Sequence, residues 1–211
     1  MSKKMSYIGL FINLVIVILE IIGFVMVTRN FGTGIFEYYT QDSNLLLLVS
    51  SLIYSIYIFM GIRRGRIEIP NWLGVLKYMA VVSVSITFIV VITILSWSME
   101  GGLYGMLFEG AMLYHHTICP ILAVISFILF ENYDIDGNIQ IIRSLYFTFI
   151  YSIILISLNI VKLVEGPYPF LMVHNQSIFM SLFWIVIILS GAFGISMGLR
   201  FLNRKFNLVR K

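Results

Sequence analysis

Cysteine occurs once, at Cys119, so no disulfide can close within the chain, and neither a CxxC pair nor a Cys/His zinc spacing exists. Charge is scarce too. Asp, Glu, Lys and Arg make up 11% of the 211 residues, against roughly 25% in an average soluble domain. GxGxxG, Walker, HExxH and GxSxG patterns are all missing, which removes motif support for nucleotide binding, zinc proteolysis and elbow-serine chemistry. No cofactor is implied. There is no fixed-period repeat and no low-complexity tract. The net charge of +4 comes from basic residues scattered between and beyond apolar runs, a pattern of topology signals and not of a nucleic-acid patch.

Apolar residues fill the space that charge leaves, at 60% of the chain. One domain of this size cannot bury so much apolar surface in its own core, so lipid is the expected solvent. A span needs about 20 mostly apolar residues. Candidates run near Tyr7 to Val27, Tyr39 to Gly61, Leu73 to Leu95, Ala111 to Phe130, Ser144 to Val161 and Ile178 to Leu199. Backbone groups in lipid must pair within their own segment, and barrel-like alternation is absent, so the fold class is all-α: a single six-helix transmembrane domain. The first run follows Lys3 and Lys4 as a secretory signal would. At about twenty residues it exceeds an h-region, and no small-residue cleavage site precedes Arg29, so it reads as a retained span.

Basic residues alternate between the connections. With the N-terminus inside, Lys3, Lys4, Arg63, Arg64, Arg66, Arg143, Arg200, Arg204, Lys205, Arg210 and Lys211 are all cytoplasmic, leaving Arg29 and Lys162 outside. The positive-inside rule therefore predicts both ends on the cytoplasmic side of a multi-pass protein of the cell membrane. Lys77 enters span three near its cytoplasmic end, where a long side chain can snorkel to the headgroups.

Ionisable groups inside spans are functional candidates by default. Glu20 and Asn13 lie in span one, Thr40, Asp42, Ser43 and Asn44 open span two, and Glu109, His115 and His116 lie in the outer part of span four. Thr40 and the histidines are expected in one leaflet. Each has a plainer reading: Thr40, Asp42 and Asn44 as helix-start hydroxyl, carboxylate and amide, Glu109 as a solvated end, and Asn159 as an interhelical hydrogen bond. Adjacent residues sit about 100° apart on a helix, so only one histidine is expected to face a shared pocket. Pro120 predicts a kink that frees the His116 carbonyl. Tyrosines and tryptophans read as interface-belt or packing residues.

Three segments, FEYYTQDSNLLL, HHTICPILAVISFILFE and EGPYPFL, resemble in order and position the androgen-induced membrane hydrolase superfamily and its prokaryotic six-helix relatives. The resemblance implies a threonine hydrolase acting on esters of fatty acids with hydroxy fatty acids, using a Thr in span two and a His in span four. Thr40 occupies the Thr position. His115 and His116 stand five and four residues before Pro120, and both fit. The prokaryotic interval, with Thr117 following, favours His116. The polar QDSN after Thr40 departs from the animal pattern and is similar to the prokaryotic branch.

A threonine hydroxyl needs a base to become a nucleophile, and imidazole is the side chain suited to that at neutral pH. Asp42, Asn44 and Glu20 are expected to orient the pair or to stabilise an oxyanion. The expected partners are membrane lipids and a lipid ester, not nucleic acid; no motif encodes an oligomeric state. Two other functions compete: a transporter whose path is lined by Glu20, Asp42, His116 and Lys162, and a scaffold whose polar groups only bind helices together.

Overall fold

The computed structural model describes residues 3–98, 101–132, 135 and 137–209, apart from the side chains of Lys3 and Thr33. Arg210 and Lys211, counted above as basic residues, lie outside the described residues. All regular structure among the described residues is helical, and six helices are long and apolar enough to cross a membrane.

The order is α1 (Lys3–Phe31), α2 (Tyr39–Arg64), α3 (Asn71–Thr93), α4 (Gly102–Phe108), a π-helical turn (Leu113–Ile118) running into α5 (Cys119–Phe130), α6 (Asn138–Ser144), α7 (Tyr146–Ile160) and α8 (Ile178–Phe206). The short helix α4 is an addition that no apolar run announces. The first and last spans extend beyond their apolar windows because a helix that has left the hydrocarbon keeps its internal hydrogen bonds through the headgroup layer.

Burial runs opposite to that of a soluble bundle. Phe11, Ile153, Ile178 and Phe179 are exposed, whereas Asn13, Glu20, Lys77, His115 and Glu131 are completely buried. A lipid-facing exterior with a polar interior produces this pattern. The most buried span is α3 and the least buried is α8. Small hydroxyl residues let α3 sit at the centre: Ser83 and Ser85 are buried and satisfied by the carbonyls of Met79 and Val81, at 2.8 and 2.7 Å.

Lys77 does not snorkel. Its Nζ turns inward and donates to Asn13 Oδ1 at 2.7 Å and Ser51 Oγ at 2.9 Å, with Glu131 Oε1 at 3.5 Å. Glu131 Oε1 also accepts from Ser126 Oγ at 2.6 Å and Asn13 Nδ2 at 3.0 Å. Sequence position places Lys77 close enough to the headgroups to reach them. What diverts it is a carboxylate that only the fold brings across from the end of α5, because an ammonium with an ion partner in low dielectric needs no water. This network ties α1, α2, α3 and α5 together at the end of the bundle that carries both termini.

Candidate functional site

The opposite end of the bundle holds Thr40, the second residue of α2. Tyr38 is the helix N-cap and makes no side-chain cap bond. Thr40 Oγ1 does not cap the helix either; it lies 3.2 Å from His116 Nε2. Both residues are buried, Thr40 6% and His116 3% exposed.

The other imidazole nitrogen defines the tautomer. His116 Nδ1 is 2.6 Å from the Met106 carbonyl oxygen, which can only accept, so Nδ1 carries the proton. Nε2 of the neutral ring is then an acceptor, and the Thr40 hydroxyl donates to it. Met106 belongs to the last turn of α4, whose carbonyls lack intrahelical partners. Thr117 Oγ1 takes the next one, Leu107, at 2.7 Å. The short helix thus supplies a carbonyl that fixes the orientation and tautomer of the histidine ring.

The wide turn at 113–118 aims the two histidines apart. Cys119 N donates to the Tyr114 carbonyl, an i to i+5 bond, and Pro120 follows in the first turn of α5 without a donor to offer. His116 meets Thr40. His115 faces α1, its Nε2 3.4 Å from Glu20 Oε2 with both side chains fully buried, its ring 4.8 Å from that of Phe24, and Cys119 beside the carboxyl. Only glycine fits at position 23, since a Cβ there would overlap the His115 imidazole. His115 and Glu20 therefore form a separate pair and do not join Thr40.

Asn44 lies one turn beyond Thr40. Its Nδ2 donates to the Thr40 carbonyl at 2.8 Å and to the His115 carbonyl at 3.1 Å, which fastens the start of α2 to the histidine turn. With both amide hydrogens spent on backbone oxygens, its role is orienting. Ser43 Oγ bonds the Thr40 carbonyl and Thr87 Oγ1, each at 3.0 Å. Asp42 is half-buried, and no hydrogen bond joins its side chain to Thr40 or His116. Glu109 is exposed.

No protein-family model, curated protein or solved structure matches this chain. The site is therefore read from its own geometry.

Two cavities meet at Thr40. One, of about 390 Å³, is lined by Thr40, His116, Gln41, Met106, Val27 and Tyr168 among others. The other is a narrow apolar groove of about 70 Å³ that runs from Tyr39, Thr40 and Tyr168 between α3 and α7 to Trp184 and Ile188 of α8. Its α8 wall belongs to the least buried span.

Residue typing missed three parts of the site. Met106 contributes through its carbonyl, which has no sequence signature. Gln41 is buried with an unpartnered Oε1 and lines the larger cavity. Tyr168, in the loop between α7 and α8, places its hydroxyl 3.5 Å from the Thr40 N–H and lines both cavities. Its loop is folded tightly: Gly166 passes so close to the Leu171 backbone that a Cβ would come within 2.7 Å of it, and Phe170 stacks on the Tyr168 ring at 5.2 Å. Asn159, expected to bridge helices, instead anchors this loop, donating to the Val164 carbonyl at 3.1 Å and accepting from Val173 N at 3.0 Å. Loop backbone groups such as the Val164 carbonyl and the Val173 N–H need partners, which a nearby amide can supply.

Proposed function

We propose that this chain is an intramembrane acyl-ester hydrolase or acyltransferase of the cell membrane, acting on a lipid ester, with Thr40 as nucleophile and His116 as general base. What carries the reading is the 3.2 Å contact between Thr40 Oγ1 and His116 Nε2 combined with the Nδ1 bond to Met106, which leaves Nε2 ready to take the hydroxyl proton. Thr40 attacks the ester carbonyl carbon as its proton passes to Nε2. The tetrahedral intermediate collapses, the alkoxide takes the proton from His116, and the acyl group remains on Thr40. Water, or a lipid hydroxyl in the transferase case, then gives its proton to Nε2 as its oxygen attacks the acyl carbon. The second intermediate collapses, the Thr40 Oγ1–carbon bond breaks, Nε2 returns the proton to Oγ1, and the acid or new ester leaves.

Two further observations support this reading. The cavity of about 390 Å³ at Thr40, where Val27, Phe31, Ile35 and Met106 lie beside the polar pair, suits the hydrocarbon next to an ester group. The resemblance of the FEYYTQDSN and HHTICP segments to the androgen-induced membrane hydrolases, which implies a Thr in span two and a His in span four, points to the same two residues. With both termini inside, Thr40 opens toward the outer leaflet. Of the four residues that would line a transporter path, Glu20, Asp42, His116 and Lys162, only His116 lines a cavity at Thr40.

The experiment is a fluorophosphonate labelling and ester-turnover assay on detergent-purified protein. Wild type is expected to label and turn over. Thr40→Ala should lose both, and His116→Ala should lose turnover on the scale of roughly a millionfold seen when a hydrolase loses its nucleophile or base. Labelling that persists in Thr40→Ala would refute the assignment.

A further inference from the structure

We propose that the Tyr168 hydroxyl and the Thr40 backbone N–H together form the oxyanion hole of this site, an inference that rests on the ester chemistry proposed above. The Thr40 N–H belongs to the first turn of α2, where amides have no intrahelical acceptor. It points at the Tyr168 oxygen across a long 3.5 Å contact, which a charged acceptor would readily displace. A second observation converges on the same point. Tyr168 is only 6% exposed and lines both of the cavities that meet at Thr40.

A tyrosine hydroxyl serves an oxyanion only while it holds its proton. Burial raises the Tyr168 pKa, hydrogen bonds from Thr40 and Tyr39 pull it back, and the outcome is about 12. The group is a donor throughout the neutral range and cannot compete with His116 as the base. Its position follows the chemistry. As the Thr40 Oγ1–carbon bond forms, the carbonyl π pair moves onto oxygen, and that charge develops beside Thr40's own amide and at the positive end of the α2 dipole. When the oxygen re-forms its double bond, the alkoxy C–O bond breaks and both donors are freed.

Two other donors nearby, Asn44 and Ser43, are committed elsewhere. Asn44 spends both amide hydrogens on backbone carbonyls, and Ser43 donates to the Thr40 carbonyl or Thr87.

The test compares a p-nitrophenyl long-chain ester with its thiono counterpart, in which sulfur replaces the carbonyl oxygen and accepts hydrogen bonds poorly. Tyr168→Phe deletes one oxygen and keeps the ring that stacks on Phe170. It is expected to lower kcat on the oxo ester by about 10²–10³-fold, to leave KM nearly unchanged and to shrink the wild-type preference for oxo over thiono. Phe170→Leu, which loosens the same loop but keeps the hydroxyl, should retain that preference. If Tyr168→Phe does not fold, 3-fluorotyrosine at position 168, a stronger donor of the same shape, should raise kcat on the oxo ester. An unchanged oxo/thiono ratio in Tyr168→Phe, or an unchanged kcat with 3-fluorotyrosine, overturns the oxyanion assignment alone, provided that wild-type turnover depends on Thr40. Wild-type protein without Thr40-dependent turnover overturns the parent reading as well.

Discussion

Thr40 and His116 matter through one atom each, and the atoms around them decide what those two can do. A threonine in the first turn of a helix ordinarily satisfies backbone amides. Here Tyr38 occupies the cap position and the Thr40 hydroxyl is left for Nε2. Asn44 holds that arrangement through two carbonyls, so Asn44→Ala should lower both thermal stability in detergent, by about 1–3 kcal/mol, and ester turnover, measured side by side. Glu20 touches His115 and not His116. Glu20→Gln is therefore expected to keep Thr40-dependent labelling, and labelling lost in correctly folded Glu20→Gln would place that pair in the chemistry. The candidate pair was legible as residues and interval, Thr40 and then a histidine four before Pro120. The family resemblance already favoured His116 of the two, whereas helix geometry alone could not choose, because neighbouring residues differ only in azimuth and the π-helical turn resets that azimuth.

At the scale of elements, the two polar clusters behave differently. The network of Asn13, Ser51, Lys77, Ser126 and Glu131 is closed, each charge meeting its partner inside the bundle. Truncating one side of a buried ion pair leaves the other charge stranded, at a cost of about 3–5 kcal/mol. Lys77→Met should accordingly lower the unfolding midpoint steeply, and Lys77→Met with Glu131→Gln should recover much of the loss; a double variant no better than the single one would show that the charges are not coupled. At the other end, Thr40 and His116 stand beside two cavities. There α4, only seven residues long, acts through the carbonyls at its C-terminus. Its apolar stretch is too short to read as a span, and its role depends on backbone oxygens, so no residue pattern could have announced it. The α7–α8 loop is a similar case: EGPYPFL reads as a turn-rich connection, yet its tyrosine comes to lie over the start of α2.

For the whole molecule, the arrangement of six helices implies that the Thr40 end and the chain termini lie on opposite faces of the membrane. With the termini inside, a cysteine at the exposed Lys162 position should react with a membrane-impermeant maleimide in intact cells. A cysteine at the Lys205 position should react only after permeabilisation, and the buried Cys119 should contribute little background. Reactivity in the reverse order would invert the topology. Composition and the lengths of the apolar runs determined by themselves that the chain is helical and crosses a membrane six times, since lipid accepts only segments that satisfy their own backbone. The alternating basic residues likewise carry the expected orientation. Only the tertiary structure decided that Lys77 turns inward to Glu131, that His115 turns to Glu20 and away from Thr40, and that Met106, Gln41 and Tyr168 complete the surroundings. Those outcomes depend on where one helix meets another in space, and hydrophobic periodicity within a single helix holds no record of its neighbours.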